Sequence, residues 1–270
     1  MGRKTTSRRR RTFPVVALVV ALLAVMTASA CAPTKKGGPG PRVMLVGDSI
    51  GADLAAPLAF AFGARGWAFH PAAQPGCAIV RGVSSDFHGT PPPQAAFACD
   101  QAIWGVHETK IDDFRPSVVL WFSFIEEWGR YVDNHWYAPG PWPLPFPPIY
   151  PGATPGTSGT GGDLKILDLI NEKRAQFTQH GAKLVFVTMP PPATDSENHG
   201  ARVAHLNQLL KQFVLAHPAD TALIDLATIA CPPAGQVCPT VIDGIHMRPD
   251  LYHFSPAGAS WMVNNIVAHL

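Results

Sequence analysis

The chain has 270 residues, of which 47% are hydrophobic, and a formal net charge of +2 at pH 7. This net charge includes the arginine-rich N-terminus, so the rest of the chain is near neutral or slightly acidic. That charge gives no electrostatic support for nucleic-acid binding. About 240 residues follow the first thirty, which is enough for one sizeable α/β domain with a full core.

Residues 1–30 have the layout of a signal peptide. The arginine block "SRRRRTF" is followed by the apolar run "PVVALVVALLAVMTASA" and then by Cys31. The leader is either a general secretory signal with a basic n-region or a twin-arginine signal. Cleavage after Ala30 would leave Cys31 where bacterial lipoproteins carry their lipid; plain cleavage or an uncleaved membrane anchor are the alternatives. We therefore expect an exported protein, either a cell-envelope lipoprotein or a secreted one, with residues 31–41 as a flexible tether.

The five cysteines predict two disulfides and one spare thiol in an oxidising compartment. Cys31 at the processing site is the spare one, and the others form two near-neighbour pairs, Cys77 with Cys99 and Cys231 with Cys238. The second pair closes the short loop "CPPAGQVC", whose Pro and Gly content allows a tight excursion. Zinc is the competing use, but no Cys-x-x-Cys spacing supports it. We expect no metal and no organic cofactor.

Strand and helix patterns alternate along the chain from residue 42 onward. The predicted strands are "RVMLVG" (42–47), "WAFHPA" (67–72), "PSVVLWFSF" (116–124), "AKLVFVTMP" (182–190) and "ADTALIDL" (219–226). The clearest helical patterns cover 51–66, 162–180, 200–217 and 255–270. This order predicts a three-layer α/β/α domain over 42–270, with a mostly parallel sheet of about five strands and its site at their carboxyl ends.

Residues 135–162 interrupt this alternation with a segment rich in Pro, Gly and aromatic residues. It is too long for an ordinary connection, so it is either a functional loop over the site or a flexible insertion. Its aromatic side chains either stack on a sugar, line an acyl pocket or pack on their own domain; they are Trp136, Tyr137, Trp142, Phe146 and Tyr150.

Ser49 lies in "VGDSIGADL", at the turn between the first strand and its helix. There its side chain is presented at the top of the sheet. Its own N–H lies at a helix N-terminus, where positive partial charge can stabilise an oxyanion. The alternative is that this serine only caps the helix.

Three motifs in order resemble the SGNH hydrolases, also called the GDSL family. They are Gly-Asp-Ser at Ser49, the glycine of "QPGCAI" at Gly76, and an Asp-x-x-His near the C-terminus. The layout is most similar to the SGNH domains associated with cell-envelope acyltransferases. The resemblance implies a flavodoxin-like fold and acyl transfer from an ester to water or another hydroxyl. It also implies Ser49 as nucleophile, a histidine base oriented by an aspartate, and an oxyanion hole formed by the N–H groups of Ser49 and Gly76.

The family's third block, Gly-x-Asn-Asp, has no counterpart after the third strand, where the chain reads "WFSFIEEWGRYVDN". Asn134 is too far along to replace the missing oxyanion donor without a special loop. Losing one such donor can cost on the order of 100-fold in rate. Either the two remaining N–H groups suffice, or Trp128 or Arg130 helps, or the activity is weak.

Glu126 and Glu127 lie in this segment, which differs from the family's third block. A paired-carboxylate site is one interpretation of them, but adjacent side chains do not converge. We interpret them instead as structural residues of a loop near the pocket rim.

Two Asp-x-x-His pairs compete near the C-terminus, in "VIDGIHMRPDLYHFSPAGASWMV". Ser255 is a plausible N-cap and Pro256 is suited to the first helical position, so the last helix is predicted to begin directly after the second pair. This helix start selects Asp250 and His253 as the orienting acid and the base.

The first pair, Asp243 and His246, precedes Pro249 and surrounds an Asp-Gly turn signal. We interpret Asp243 as hydrogen-bonding its own turn. His246 is first a structural histidine; contact with substrate at the pocket rim is the alternative.

Together these patterns predict an exported serine esterase or O-acyltransferase. Its expected substrates are ester-linked acetyl or short acyl groups of envelope glycans or of small esters, and it is expected to be a monomer. Two alternatives are a degenerate SGNH domain that binds glycan without catalysis and a purely structural lipoprotein. Membrane contact, if any, would run through the N-terminus.

Overall fold

A computed structural model of the chain describes residues 40–83, 94–133, 135–140, 157–192, 199–231 and 238–270. The predicted signal peptide, the lipidation site Cys31 and most of the tether lie outside these residues, as do Asn134 and three aromatic side chains of the insertion: Trp142, Phe146 and Tyr150. The domain boundaries and the processing of the N-terminus therefore stay predictions.

The described residues form nine strands and six α-helices. The strands are β1 (Arg42–Gly47), β2 (Ala68–Pro71), β3 (Val118–Phe122), β4 (Arg130–Val132), β5 (His135–Tyr137), β6 (Lys183–Val187), β7 (Thr221–Ile224), β8 (Val241–Ile242) and β9 (Ile245–His246). The helices are α1 (Ser49–Ala64), α2 (Gln94–Phe114), α3 (Thr160–Thr178), α4 (His199–Ala216), α5 (Leu226–Ala230) and α6 (Pro256–Ala268). A 3-10 helix covers Ile125–Trp128.

The main sheet has five parallel strands in the order β2-β1-β3-β6-β7. This is the flavodoxin-like order, and all five strands are the predicted ones. The chain leaves β1 toward one edge of the sheet and returns to the other side of β1 as β3. The change of direction between β1 and β3 opens a crevice at their carboxyl ends, which is where such folds bind ligands. Ser49 follows β1 at this point.

Side chains of β1 alternate between two apolar layers, as expected for a sheet covered on both faces. Val43 and Leu45 pack in the layer that includes α1 and α6. Met44 and Val46 pack in the opposite layer, with α3 and most of the apolar face of α4. The predicted three-layer α/β/α class is therefore confirmed.

Part of the predicted insertion is an ordered extension of the domain. Strands β4 and β5 pair antiparallel, and Trp136 in β5 is 3% exposed. The N–H of Thr157 donates to the carbonyl of Trp136 at 2.7 Å, so the two ends of the insertion lie side by side. The burial of Trp136 agrees with the alternative in which the aromatic side chains of the insertion pack on their own domain.

Two disulfides are present, Cys77–Cys99 and Cys231–Cys238, with the predicted pairing. Such bonds persist in oxidising compartments. Across the part of the chain that the structure describes, no helix is long and apolar enough to cross a membrane.

Candidate active site

The turn between β1 and α1 places the Ser49 side chain at the crevice. Gly47 is required there, because a Cβ at this position would lie 2.1 Å from the carbonyl oxygen of Phe122 in β3. Asp48 is the N-cap of α1, and its carboxylate accepts the Ile50 N–H at 2.8 Å. The alternative in which Ser49 caps the helix is therefore wrong, and the Ser49 hydroxyl is left for another partner.

That partner is His253. Its Nε2 lies 3.0 Å from the Oγ of Ser49, and its Nδ1 lies 2.7 Å from Oδ2 of Asp250. A neutral imidazole that donates from Nδ1 to the carboxylate presents an accepting Nε2 to the serine hydroxyl. The structure thus brings Ser49, His253 and Asp250 into one hydrogen-bonded chain in the order that nucleophilic acyl transfer needs.

The Asp250 carboxylate also shapes the loop that carries His253. Its Oδ1 accepts the main-chain N–H groups of Tyr252, at 3.0 Å, and of His253, at 2.7 Å. Leu251, which lies between Asp250 and Tyr252, adopts a φ of +74°, a left-handed conformation that is costly for a leucine. Helix α6 begins as predicted, with the Ser255 hydroxyl accepting the Gly258 N–H at 3.0 Å and Pro256 in its first turn.

The first Asp-x-x-His pair lies on the β8–β9 hairpin, whereas it is the histidine of the second pair that contacts the Ser49 hydroxyl. Asp243 and Gly244 form its two-residue turn with φ angles of +51° and +76°, as favoured for Asp-Gly hairpins. The Asp243 carboxylate accepts the indole N–H of Trp261 at 2.9 Å, a contact with α6 that the turn pattern did not predict. His246 is exposed, and its carbonyl accepts the Ser255 hydroxyl at 2.6 Å. This hairpin, which follows the Cys231–Cys238 disulfide, therefore supports the start of α6.

Gly76 lies in a turn beside the Ser49 turn. The N–H of Gln74 donates to the carbonyl of Gly47 at 2.7 Å, which ties this segment to the end of β1. Gly76 has a φ of +73°, in the region that favours glycine. The next residue is Cys77, whose disulfide to Cys99 joins the turn to α2.

The segment that replaces the family's third block braces Asp48. The N–H groups of Phe124 and Ile125 donate to Oδ2 of Asp48 at 2.9 Å and 3.2 Å. The Ser123 hydroxyl lies 3.1 Å from the same oxygen. These main-chain donors bind the buried Asp48 carboxylate, and they therefore stabilise the turn that carries Ser49.

Glu126 and Glu127 are buried rather than near the rim, so that part of the prediction is wrong. They are 1% and 0% exposed, and because adjacent side chains diverge they reach different partners. Glu126 accepts the Ile79 N–H at 2.7 Å, whereas Glu127 contacts the Nδ1 of His199 at 2.7 Å and the guanidinium of Arg202 at 2.5 Å.

Trp128 and Arg130, the two proposed substitutes for the missing donor, make other contacts. The indole of Trp128 packs against the rings of Phe124 and His199, with centroids 6.3 Å and 6.0 Å away. Arg130 is buried and donates to the carbonyls of Val80 and Gly82. It therefore fixes the loop that follows Gly76.

The electrostatics distinguish three carboxyl groups. Burial raises the pKa of Asp48 to about 6, against the lowering effect of its main-chain hydrogen bonds. Burial also raises the pKa of Asp53, whose carboxylate accepts the Phe254 N–H. Burial acts in the same direction on Asp250, but hydrogen bonds from His253 and Tyr252 outweigh it and hold its pKa below the usual value. Asp250 is therefore ionised at neutral pH, as an orienting acid must be.

The sequence patterns missed two contacts that hold the histidine loop. One is Asp53, one helical turn after Ser49, and the only signal for it was that four-residue spacing. The other is Arg248, which donates to the carbonyl of Pro190 at 2.6 Å and lies over the ring of Phe254.

Among the described residues, no group of three or more His, Cys, Asp or Glu side chains is arranged to hold a metal.

Comparison with solved structures identifies proteins of the same fold. A GDSL-like lipase from Bacteroides thetaiotaomicron is 11% identical, with a TM-score of 0.51 over 92% of this chain and 94% of the other. The periplasmic domain of a lipopolysaccharide acetyltransferase from Salmonella ser. Paratyphi A is 12% identical, with a TM-score of 0.52 over 86% and 84%. The acetyl xylan esterase AlAXEase is 13% identical, with a TM-score of 0.50 over 85% and 99%.

No curated protein sequence matches the chain. Residues 24–268, however, match the sequence model of the family described as "SGNH domain (fused to AT3 domains)". That range contains the Ser49 turn, the Gly76 turn and the Asp250–His253 loop. The chain therefore belongs to the SGNH domain family, and its enzyme class is the predicted one, an SGNH-type ester hydrolase or acyltransferase.

Proposed function

We propose that this protein is an exported serine esterase or O-acyltransferase that removes acetyl or short acyl groups from envelope glycans or small esters. The observation that carries the proposal is the hydrogen-bonded chain from Ser49 Oγ through His253 to Asp250. The roles we assign are Ser49 as nucleophile, His253 as general base and acid, and Asp250 as the group that orients the imidazole.

In the first half of the reaction, Ser49 Oγ attacks the carbonyl carbon of the ester and its proton passes to Nε2 of His253. The tetrahedral intermediate places a negative charge on the former carbonyl oxygen, where the N–H groups of Ser49 and Gly76 are the proposed donors. Its bond to the alcohol oxygen then breaks, and His253 returns the proton to that oxygen. The products are the free alcohol and an acyl group on Ser49.

In the second half, an acceptor hydroxyl loses its proton to Nε2 of His253 and attacks the acyl carbon. The acyl–Ser49 bond breaks, and the proton returns to Ser49 Oγ. Water as acceptor gives hydrolysis, and a sugar hydroxyl gives acyl transfer. Asp250 stabilises the imidazolium that forms in each half, since its low pKa keeps it ionised.

The exposure of the site supports a substrate that belongs to a large molecule. The side chains of His253 and Asp250 are 47% and 56% exposed, so the reacting ester can be reached on a polymer. Export is supported by the two disulfides and by the predicted signal peptide. Among proteins of this fold, one is named as a lipopolysaccharide acetyltransferase and another as an acetyl xylan esterase.

A fluorophosphonate probe tests the nucleophile directly. We expect it to modify Ser49, located by peptide mass spectrometry, and not to modify a Ser49→Ala variant. In parallel, acetate release from O-acetylated glycan should be lost in Ser49→Ala. Wild-type turnover in that variant, or no modification of Ser49 in the wild-type protein, would contradict the proposal and favour a domain that binds glycan without catalysis.

A further inference from the structure

Two buried carboxyl groups meet beneath the nucleophile turn through one hydroxyl. Asp48, Ser123 and Glu126 are 0%, 3% and 1% exposed. The Oγ of Ser123 lies 3.1 Å from Oδ2 of Asp48 and 2.6 Å from Oε2 of Glu126. A serine hydroxyl has one proton and can donate to only one of these oxygens. The second short contact therefore needs a proton on a carboxyl group, because two ionised carboxylates would leave one oxygen facing the Ser123 oxygen with no hydrogen between them.

The surrounding hydrogen bonds show which carboxyl group suits the neutral form. Asp48 accepts main-chain N–H groups at both oxygens, from Ile50 at Oδ1 and from Phe124 and Ile125 at Oδ2, and such bonds favour a carboxylate. Glu126 accepts one N–H at Oε1, from Ile79, and Oε2 is the oxygen that faces Ser123. A neutral acid fits this pattern, since its carbonyl accepts at Oε1 and its hydroxyl donates from Oε2.

The pKa of Asp48 also indicates that two carboxylates in this cluster repel each other. Burial raises it to about 6, and the nearby charge of Glu126 adds to the rise. Two negative charges in this buried space are therefore unfavourable.

The cluster also joins three segments: the Ser49 turn, the segment after β3 and the Gly76 loop. Asp48 precedes Ser49, and Ser123 and Glu126 follow β3. Ile79 lies three residues after Gly76, in the loop whose N–H is proposed to bind the oxyanion. Through Ser123, Glu126 thus adds a side-chain link between the Gly76 loop and the Ser49 turn.

We propose that Asp48 and Glu126 hold a single negative charge and share one proton through Ser123, and that Glu126 is a positioning residue that sets the Gly76 loop against the Ser49 turn. The proposal deepens the proposed function and rests on it for the role of the Ser49 and Gly76 N–H groups. In this arrangement a buried acid, Glu126, compensates for the missing third-block asparagine by positioning the remaining oxyanion donors.

Two substitutions that each remove one carboxyl group from the cluster form a matched pair. Glu126→Gln should keep kcat and KM for p-nitrophenyl acetate within about threefold, because the amide accepts from Ile79 and donates to Ser123 as the neutral acid does. Asp48→Asn should lower kcat on the order of 100-fold, because either amide orientation turns an N–H₂ toward a main-chain N–H and shifts the Ser49 turn. Equal loss in both variants would overturn the shared proton.

Glu126→Leu tests the positioning role, since it fills the space without a hydrogen bond to Ile79. We expect kcat to fall on the order of 100-fold with little change in KM, and amide hydrogen exchange of residues 76–79 to accelerate. Unchanged exchange at these residues in folded Glu126→Leu would overturn the positioning role. If this variant does not fold, Glu126→Gln still tests positioning, since it must keep wild-type exchange at residues 76–79.

Infrared spectroscopy tests the proton without reference to catalysis. The wild-type protein near pH 5, below the raised pKa of about 6, should show the carbonyl stretch of a buried protonated carboxyl group, and Glu126→Gln should lack it. Absence of that band in the wild-type protein would overturn the shared proton. An inactive wild-type protein that fails to react with fluorophosphonate would instead contradict the proposed function, while the infrared and exchange results would still decide the cluster.

Discussion

The N–H of Phe254 donates to Oδ2 of Asp53 at 3.0 Å, which joins the helix that begins at Ser49 to the loop that carries His253. Asp53 lies one turn beyond Ser49 on α1, and Phe254 directly follows His253. The two ends of the Ser49–His253 hydrogen bond are therefore fixed to each other by a second contact. The ring of Phe254 is itself buried against Phe122 at the end of β3.

From this contact we predict that Asp53→Ala lowers kcat about tenfold, because His253 loses its tie to the helix of the nucleophile. Asp53→Asn is the matched control, since its amide oxygen still accepts the Phe254 N–H, and it should stay within about threefold of the wild type. Steady-state kinetics with p-nitrophenyl acetate measures both variants. Equal losses in the two would show that the charge of Asp53, and not the hydrogen bond, is what matters.

The choice between the two Asp-x-x-His pairs gives a second prediction. In Asp250→Asn the new amide donates to Nδ1 of His253, which forces the imidazole proton onto Nε2, so that Nε2 no longer accepts from Ser49. We expect kcat to fall on the order of 100-fold or more. His246→Ala should keep most of the activity, because His246 is exposed on the hairpin. Activity that depends on His246 and survives Asp250→Asn would reverse the assignment of the pairs.

Local chemistry explains what could be predicted from the sequence. The start of α6 depends on Ser255 and Pro256, two adjacent residues with known capping preferences, so the sequence could place the helix and with it the loop before it. The five strands likewise follow from apolar runs of the right length, and their alternation with helices predicts the layers.

The buried polar contacts could not be predicted because their partners are far apart in the chain. Glu126 and Ile79 are 47 residues apart, and Asp53 and Phe254 are 201 apart. Glutamate and aspartate are rarely fully buried, so a rim position was the natural expectation for Glu126 and Glu127. Burial of these acids is tolerable because distant segments supply their partners: Ile79 in the Gly76 loop donates to Glu126, and His199 and Arg202 in α4 contact Glu127.

The two disulfides are expected to differ in their effect on the site. Cys77–Cys99 spans 22 residues and Cys231–Cys238 spans 7, so loop-closure entropy predicts about 3 and about 2 kcal/mol of stabilisation. Cys77 also follows Gly76, so replacing both cysteines of the first pair by serine should reduce kcat as well as the free energy of unfolding. Replacing the second pair should mainly lower stability. Urea unfolding and kinetics on the two double variants measure this, and a larger kcat loss in the second would contradict it.

The raised pKa of Asp48 predicts how stability changes with pH. In the unfolded chain this carboxyl group has its ordinary pKa of 3.8, and in the folded protein burial raises it to about 6. The folded state therefore binds more protons between these values, and stability that is fully present below pH 3.8 is lost as the pH rises through 6. The full effect is at most about 3 kcal/mol. Glu126→Gln leaves Asp48 as the only acid of the cluster, so the pKa of Asp48 should fall and the folded variant need not keep the proton that the pair shares. The variant should therefore gain stability relative to the wild type as the pH rises from 4 to 7. Urea unfolding followed by tryptophan fluorescence at several pH values in this range measures the difference in unfolding free energy between the two proteins. A difference that stays constant with pH would show that Asp48 and Glu126 do not interact electrostatically.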